Sequence, residues 1–329
     1  MDILITEEFG GSALQRLTER YEVVRDASLW NDADKLREHL PNARAIVIRN
    51  QTRLSAERLA EATQLLAIGR VGVGLDNIDV QAASDRGVVV IAPLDANATS
   101  VAEMTIGMLI ALTRKIPAAD RSTKAGAWDR TGNLGVELAG KTLAICGFGR
   151  IGRAVAARAR AFDLRVVVFD PYVNADAPGL RETGATRCAS LPEALSGADF
   201  ISIHTPLTNE TRHLFDARVF AAMKRGSFLI NAARGGIVDE SALLPALRSG
   251  HLAGVALDVR ETEPPCGPNP FGALDNVILT PHIGSFTHEA QTRTMEAVAA
   301  DLERVLQGEP AVNFVNFARP RGRNRTGER

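Results

Sequence analysis

The stretch AICGFGRIGRA, residues 144–154, indicates a β-strand that enters an α-helix through a glycine-rich turn. Gly147, Gly149 and Gly152 have a spacing in which the first glycine permits a tight turn, the second lets a pyrophosphate approach the backbone, and the third packs helix against strand. The amino end of such a helix presents unpaired N–H groups and a partial positive charge to phosphates. The stretch therefore predicts a dinucleotide-binding unit.

A second apolar run, RVVVFD, ends in Asp170, which lies 18 residues after the third glycine. A carboxylate at this distance can accept hydrogen bonds from ribose hydroxyls, and it repels a 2′-phosphate. The sequence therefore predicts NAD, rather than NADP, as the cofactor.

Apolar runs alternate with helical stretches on both sides of this unit. Residues 1–93 contain the runs DILI, YEVV, AIVIR, LLAIG and VVVIA, and a second series (KTLAIC, RVVVFD, DFISIH, SFLINA, LAGVALDV and NVILTPH) starts at Lys141. Continuous apolar runs are typical of parallel strands that are buried on both faces. We predict two doubly wound parallel-sheet α/β domains, joined by one long helix over residues 99–116 that Pro117 ends.

The composition excludes several classes of partner. The 329 residues carry 38 basic and 39 acidic side chains, so the net charge of −1 does not favour nucleic acid or an anionic membrane. The start of the chain is acidic and unlike a signal peptide, and the most apolar stretch, residues 101–112, is too short to span a bilayer. Three scattered cysteines predict neither a disulfide framework nor a metal site, which favours the cytoplasm.

Charged side chains follow three of the predicted strands. SFLINAARGG places Arg234 after its strand, GVALDVRETEPP places Glu261 and Glu263, and NVILTPHIGS places His282. The carboxyl ends of parallel strands meet at one edge, where open α/β sheets bind ligands. A guanidinium can grip a carboxylate, and a histidine beside a carboxylate favours the imidazolium form, which can donate a proton. The pattern predicts reduction of a keto acid, and the spacing leaves both glutamates open as the partner of the histidine.

The motifs GFGRIG, HTPLT, NAARGGIVDE, ALDV…TEPP and PHIGS occur in this order and resemble those of the NAD-dependent D-2-hydroxyacid dehydrogenases. The resemblance extends over almost the whole chain and is closest to the D-3-phosphoglycerate dehydrogenase branch, which serves serine biosynthesis. It implies a substrate domain made of residues 1–98 and 287–318, with a Rossmann-type NAD-binding domain, residues 99–286, inserted into it. Residues 319–329 contain five arginines and are expected to form a disordered tail.

The same resemblance implies roles for individual residues. Arg234 binds the substrate carboxylate and polarises its carbonyl, His282 is the acid/base, and Glu263, which precedes a proline, pairs with that histidine. Besides the three glycines and Asp170, the residues implied to contact the cofactor are Arg150, Ile151, Thr205, Pro206, Ala232, Arg234, Asp258, His282 and Ser285.

The resemblance also points to the substrate and to an assembly. GRVGVGLDNID, residues 69–79, resembles a substrate loop in which the backbone N–H groups of Val73 and Gly74 hold a carboxylate. Arg49 resembles the arginine that touches the phosphate in 3-phosphoglycerate dehydrogenases. The long helix and the segment after it resemble a dimer interface, which implies a homodimer.

We therefore expect an enzyme that interconverts a D-2-hydroxy acid and its 2-oxo acid by hydride transfer, with phosphoglycerate-like substrates first. A hydroxypyruvate or glyoxylate reductase and a sulfolactate dehydrogenase remain alternatives, and an NAD-sensing corepressor-like protein is an alternative of another class. A formate dehydrogenase is disfavoured because glutamine would be expected where Glu263 lies. Arg260 departs from the pattern, since relatives often carry an aromatic or apolar residue there, and it is expected to alter the wall of the cleft.

Overall fold

The computed structural model describes residues 1–321 and divides into two compact units. The first unit contains Met1–Asn97 together with the segment that begins at Ser285, and the second is Ala98–Gly284. The chain thus crosses between units at residues 97/98 and 284/285, whereas the sequence predicted 98/99 and 286/287.

The first unit contains a five-stranded parallel sheet. Its strands have the order β2-β1-β3-β4-β5, and they are β1 (Ile3–Ile5), β2 (Val23–Arg25), β3 (Ala45–Ile48), β4 (Ala67–Arg70) and β5 (Val89–Ile91). The helices of this unit are α1 (Ser12–Arg20), α2 (Ala33–His39), α3 (Ala56–Glu61), α4 (Val80–Asp85) and α12 (His288–Leu306), with 3₁₀ turns at Leu29–Asn31 and Leu40–Asn42.

The second unit contains a seven-stranded parallel sheet in the order β12-β11-β10-β9-β6-β7-β8. The strands are β6 (Thr142–Cys146), β7 (Arg165–Phe169), β8 (Thr186–Arg187), β9 (Phe200–Ile203), β10 (Ser227–Asn231), β11 (Leu252–Leu257) and β12 (Val277–Leu279). Its helices are α5 (Ala98–Thr113), α6 (Ile116–Lys124), α7 (Arg150–Arg160), α8 (Pro178–Thr183), α9 (Leu191–Ser196), α10 (Ala217–Ala222) and α11 (Glu240–Arg248), with a 3₁₀ turn at Gly235–Ile237.

Burial explains why the apolar runs form these strands. Every residue of β1, β3, β5 and β9 is buried, as expected for strands covered by helices on both faces. Each sheet has an apolar core on either side, which removes the apolar side chains of the runs from water. The predicted pair of doubly wound parallel sheets is confirmed, although the two-residue edge strand β8 was not anticipated.

The predicted single helix over residues 99–116 is wrong. Helix α5 ends at Thr113, Lys115 adopts a left-handed conformation with φ 52°, and α6 begins at Ile116. Pro117 lies in the first turn of α6, where no intrahelical N–H bond is needed and its fixed φ suits the helix. This proline therefore begins a helix instead of ending one.

The predicted tail lies mostly outside the described residues. Within residues 319–321, the backbone N–H of Arg321 donates to the carbonyl of Gly87 at 3.0 Å, and its guanidinium stacks on the ring of Phe317. Over residues 1–321, no helix combines the length and the apolar character that crossing a membrane requires.

Candidate active site

The glycine-rich turn after β6 has the geometry that its sequence predicts. Gly147 has a φ of 95°, and a Cβ there would lie 2.7 Å from the carbonyl carbon of His204. A Cβ on Gly152 would lie 2.2 Å from the carbonyl oxygen of Gly147, so helix α7 packs directly on the turn. Gly149 precedes α7, and a Cβ there would meet open space. The turn therefore needs two of the three glycines for its own packing.

The Asp170 carboxylate is held beside this turn at the carboxyl end of β7. One oxygen accepts a hydrogen bond from the backbone N–H of Phe148 at 2.7 Å, and the other accepts one from Tyr172 at 2.9 Å. Helix α7 begins with Arg150 and Ile151 and has no acidic residue in its first turn. A helix amino terminus without acidic groups, next to a fixed carboxylate, fits the pyrophosphate and ribose of a dinucleotide.

Two buried polar atoms lie in the loop after β9. The His204 Nδ1 and Thr205 Oγ1 atoms have no hydrogen-bond partner within residues 1–321, and Pro206 follows them exposed. Burial lowers the pKa of His204 to about 3, so its ring is neutral, and its Nε2 lies 2.7 Å from the hydroxyl of Ser202. Buried polar groups are normally paired, so these two atoms are available to a polar ligand at the sheet edge. The sequence singled out Thr205 in the HTPLT motif but missed His204.

His282 and Glu263 form a hydrogen-bonded pair. His282 Nδ1 lies 2.6 Å from Glu263 Oε2, and about a third of each side chain is exposed. The Glu263 Oε1 atom accepts a hydrogen bond from the backbone N–H of Arg260 at 2.9 Å. Because Nδ1 is engaged, Nε2 is the ring atom left for chemistry.

The loop that carries His282 is fixed by Asp258, which is buried at the end of β11. Its carboxylate accepts hydrogen bonds from the hydroxyl of Thr280 and from the backbone N–H groups of Ile283 and Gly284, at 2.5–2.9 Å. The N–H of His282 donates to the Asp258 carbonyl at 2.7 Å, and His282 has a φ of 56°. Left-handed backbone is costly for a residue with a side chain, and these bonds hold it there. Asp258 thus positions the histidine loop.

Arg234 lies three residues after the last residue of β10 and is the N-cap of the 3₁₀ turn at Gly235–Ile237. Its guanidinium donates to the Ala233 carbonyl at 2.7 Å, and Ala232 is buried at the strand end. The positive charge of Arg234 interacts electrostatically with the Glu263 carboxylate. Burial alone would raise the pKa of Glu263, but the hydrogen bond and charge of His282, the Arg260 N–H and the charge of Arg234 together lower it.

Geometry separates the two glutamates that the sequence left open. Glu261 Oε1 lies 2.5 Å from His213 Nε2, on a different loop from His282. Glu263, and not Glu261, is therefore the carboxylate that is hydrogen-bonded to His282.

In the first unit, the Arg49 guanidinium lies close to two phenyl rings. The centroids of Phe9 and Phe286 are 4.9 and 5.5 Å from its guanidinium carbon, and Nη2 lies 2.5 Å from Gln291 Oε1. The Nε atom is buried and has no hydrogen-bond partner among the described residues. Arg49 lines a cavity of about 400 Å³, together with the Gly10–Gly11 loop, Ser12 and His288.

Two residues that the sequence analysis missed hold the loops of this unit. The buried Glu7 carboxylate accepts backbone N–H bonds from Arg49, Gln51 and Thr52 at 2.7–3.2 Å. The Arg70 guanidinium donates to the carbonyls of Val71 and Gly74, each at 2.8 Å, and so shapes the loop that contains Val73. The contacts of Glu7 join residues far apart in the sequence, and those of Arg70 close a loop. No local sequence motif predicts either set of contacts.

Ser285, expected at the cofactor, opens the second segment of the first unit. Its carbonyl accepts a hydrogen bond from the Gln291 side chain at 3.1 Å. Gln291 thus connects Ser285 with the guanidinium of Arg49.

The second unit combines a glycine turn and a fixed acidic residue on a parallel sheet with a histidine–carboxylate pair at the strand ends. These features are typical of dinucleotide-dependent oxidoreductases, and we assign the second unit to this class. The family model described as D-isomer specific 2-hydroxyacid dehydrogenase, NAD binding domain, matches residues 106–284. The chain belongs to the D-isomer-specific 2-hydroxyacid dehydrogenase family, and the predicted family and cofactor NAD are confirmed.

Curated relatives carry a more specific name. The chain is 42% identical over 315 residues to the D-3-phosphoglycerate dehydrogenase of Methanocaldococcus jannaschii, and 41% identical over 317 residues to that of Bacillus subtilis. Each alignment covers 96% of this chain but only 59% of the relative, so the chain spans little more than half the length of these enzymes.

Solved structures of similar length share the fold. The TT0316 protein of Thermus thermophilus has a TM-score of 0.88 at 37% identity, covering 96% of this chain and all of that one. The D-lactate dehydrogenase of Aquifex aeolicus, solved with NAD and lactic acid, has a TM-score of 0.84 at 28% identity, with 96% and 99% covered.

Proposed function

We propose that the protein is an NAD-dependent D-2-hydroxyacid dehydrogenase that acts on D-3-phosphoglycerate or a similar dianionic acid. The observation that carries the proposal is the 2.6 Å contact between His282 and Glu263 at the strand ends of the dinucleotide-binding sheet. Relatives named D-3-phosphoglycerate dehydrogenase support the choice of substrate.

The proposed chemistry divides among few side chains. When bound, NAD would supply the hydride transfer to or from C2 of the acid. His282 donates a proton to the carbonyl oxygen during reduction and accepts it back during oxidation, while the Glu263 carboxylate stabilises the imidazolium. Arg234 grips the carboxylate of the acid and polarises its carbonyl, and the N–H groups of Val73 and Gly74 bind the same carboxylate.

We propose that the cofactor is held by the turn and loops at the carboxyl edge of the second sheet. The supporting observations are the packing of Gly147 on Gly152, the fixed Asp170 carboxylate and the unpartnered Thr205 hydroxyl. The residues proposed to line it are Gly147, Gly149, Arg150, Ile151, Gly152, Asp170, Thr205, Pro206, Ala232, Asp258 and Ser285.

Arg49 is proposed to bind the second anionic group of the substrate. In a sheet of order 2-1-3-4-5, ligands bind where the strand order reverses, between β1 and β3. Arg49 follows β3 at this point, and the adjoining cavity includes the Gly10–Gly11 loop after β1. The Phe9 and Phe286 rings lie close to the guanidinium, and its buried Nε atom lacks a hydrogen-bond partner among residues 1–321.

A panel of 2-oxo acids with NADH and NADPH tests the activity. We expect oxidation of NADH with phosphohydroxypyruvate, and a loss in kcat/KM of roughly 10²–10³-fold in Arg234→Met and roughly 10²–10⁴-fold in His282→Asn, with NADH still bound. Preference for hydroxypyruvate, glyoxylate or sulfopyruvate would favour the alternative dehydrogenases. NADH binding without turnover of any acid would favour a corepressor-like NAD sensor.

Replacement of Arg49 by Met tests the dianion site separately. Loss of a charge-assisted hydrogen bond is expected to raise KM for phosphohydroxypyruvate by about 10–100-fold and to leave KM for glyoxylate within about twofold. Arg37→Met, which removes an exposed arginine of the same unit, is the matched control. Equal losses with both acids would reject Arg49 as the selective contact.

We also propose a homodimer and a cytoplasmic location. Exposed apolar side chains in and after α6 support the dimer, and the free thiols of Cys146, Cys188 and Cys266 support a reducing compartment.

A further inference from the structure

Arg260, where the sequence departs from the family pattern, forms a forked ion pair. Its Nε and Nη2 atoms donate to the two carboxylate oxygens of Glu240 at 2.8 and 2.7 Å. The two side chains are only 12% and 16% exposed, and the guanidinium lies over the Phe271 ring, 5.1 Å from its centroid. Two parallel charge-assisted bonds fix both position and orientation.

The backbone of the same residue leads to the histidine pair. The N–H of Arg260 donates to Glu263 Oε1, and Glu263 Oε2 meets His282. Glu240 also accepts the N–H of Glu261 at 3.0 Å, so one carboxylate holds both residues 260 and 261. A Cβ on Gly235 would lie 1.9 Å from the Arg260 carbonyl, so the segment after Arg234 packs directly against this peptide.

We propose that Arg260 and Glu240 are positioning residues that set the geometry of the Glu263–His282 pair. Glu240 lies in the first turn of α11, a rigid element, and the fork transmits its position to the backbone at residue 260. That backbone orients the Glu263 carboxylate, so that the oxygen opposite its N–H bond faces His282 Nδ1. In its kinetic part, the inference rests on the proposed dehydrogenase activity.

Because the Arg260–Glu240 pair is charged and mostly buried, removal of either partner alone is costly. Burial alone would raise the pKa of Glu240, but the bonds from Arg260 and from the Glu261 N–H lower it. The hydrogen bond with Glu240 raises the pKa of Arg260. Removal of one partner therefore leaves a mostly buried, unpaired charge, which is costly and is expected to displace residues 260 and 261.

The other charges around the histidine pair must stay constant for a pH measurement to report on this fork. Arg234 acts on Glu263 directly, and the His213–Glu261 pair lies on the adjoining loop. Both variants leave Arg234, Glu263 and His282 in place, but each removes one charge of the fork, and the Arg260 charge itself interacts with Glu263. The double variant removes both charges, so it separates the effect of position from the effect of charge.

The experiment compares Arg260→Met, Glu240→Gln and the double variant with the wild type. We expect kcat to fall roughly tenfold, less than loss of the proton donor itself would cost, with KM within about twofold. The high-pH limit of kcat/KM for reduction should move to lower pH, because a displaced carboxylate stabilises the imidazolium less. The double variant should lose about as much as either single one, since the two residues act as a unit.

NMR titration of His282 measures the effect of the fork on the histidine without turnover, and the His282→Asn variant assigns its resonances. The titration therefore tests the positioning role of Arg260 and Glu240 even if the proposed activity is absent. Its protonation midpoint should fall in Arg260→Met and partly recover in Arg260→Lys, which keeps one bond and also serves if the Met variant does not fold. Lys224→Met, which breaks the exposed pair with Asp199, is the control and should change neither readout. A lower melting temperature with an unchanged His282 midpoint and pH profile would overturn the proposal.

Discussion

At the residue scale, the Glu263–His282 contact leads to a direct pH prediction. The pKa of Glu263 lies below its ordinary value of 4.5, so this carboxylate remains ionised at and below neutral pH and is lost as a partner only in stronger acid. Glu263→Gln removes the charge but keeps the size and the hydrogen bond to Arg260. We expect kcat/KM for reduction to fall by roughly 10–100-fold at neutral pH and its high-pH limit to move to lower pH.

Stopped-flow or steady-state pH profiles of Glu263→Gln check this, with Glu261→Gln as the matched control on the same loop. Glu261 pairs with His213, so its substitution should leave the profile near that of the wild type. A profile of Glu263→Gln that coincides with the wild type would contradict the assigned partner of His282.

Some residues of the candidate site could be predicted from the sequence, and others could not. Arg234 and His282 could be placed in the loops after their strands because each lies three residues beyond a strand end, in a loop that contains glycine. The choice between Glu261 and Glu263 depended on how a loop of a few residues turns, and Glu7 and Arg260 act through partners far along the chain. Such contacts depend on tertiary packing, which cannot be predicted from a single sequence.

At the scale of elements, the β6–α7 turn separates two roles of glycine. A Cβ on Gly152 would overlap the Gly147 carbonyl, which is backbone and cannot turn aside, whereas a Cβ on Gly149 meets no atom within 4 Å. We expect Gly152→Ala to lower stability by about 1–3 kcal/mol through overpacking and to weaken NADH binding. Gly149→Ala should leave stability unchanged and weaken only NADH binding, because its methyl group lies where the pyrophosphate approaches.

Thermal unfolding and NADH fluorescence titration measure the two effects on the same samples. Equal melting temperatures for Gly152→Ala and the wild type would contradict the packing role. Unchanged NADH affinity in Gly149→Ala would contradict the proposed position of the pyrophosphate.

Helices and strands could be predicted where burial determines the pattern of apolar residues. They could not be predicted where the conformation of a single residue determines the end of an element. The runs AIVIR and FISI became β3 and β9 because parallel strands covered on both faces favour apolar side chains. The break between α5 and α6 depends on one left-handed residue, Lys115, which is not a type that prefers this conformation. Pro117 fits both the end and the start of a helix, so the sequence could not choose between them.

At the scale of the whole molecule, both sheets place their candidate residues at the carboxyl ends of their strands. In the first unit, Arg49 and the Val73 loop follow β3 and β4, and in the second, Arg234 and His282 follow β10 and β12. Parallel topology thus explains why residues far apart in sequence meet within each unit. The alternating pattern of the sequence implied parallel sheets, whereas the strand orders are known only from the structure.

The exposed apolar surface of the second unit leads to a prediction about assembly. Ile116, Trp128 and Leu134 are 50%, 82% and 79% exposed, and α6 buries none of its residues within the described chain. A nine-residue helix is marginal in water by itself, and its exposed apolar side chains offer a surface to a second copy. We expect a homodimer in which this segment is covered by a second copy.

Light scattering after size exclusion tests the dimer in Leu134→Glu and in Trp128→Glu, which place a charge on the covered surface. Both should shift the protein from dimer to monomer, because an unpaired charge is costly inside an interface. Tyr172→Glu is the control, since Tyr172 is 92% exposed on the same unit and lies outside this segment. A monomeric wild type, or dimers that survive both substitutions, would show that α6 and the segment after it do not form the contact between copies.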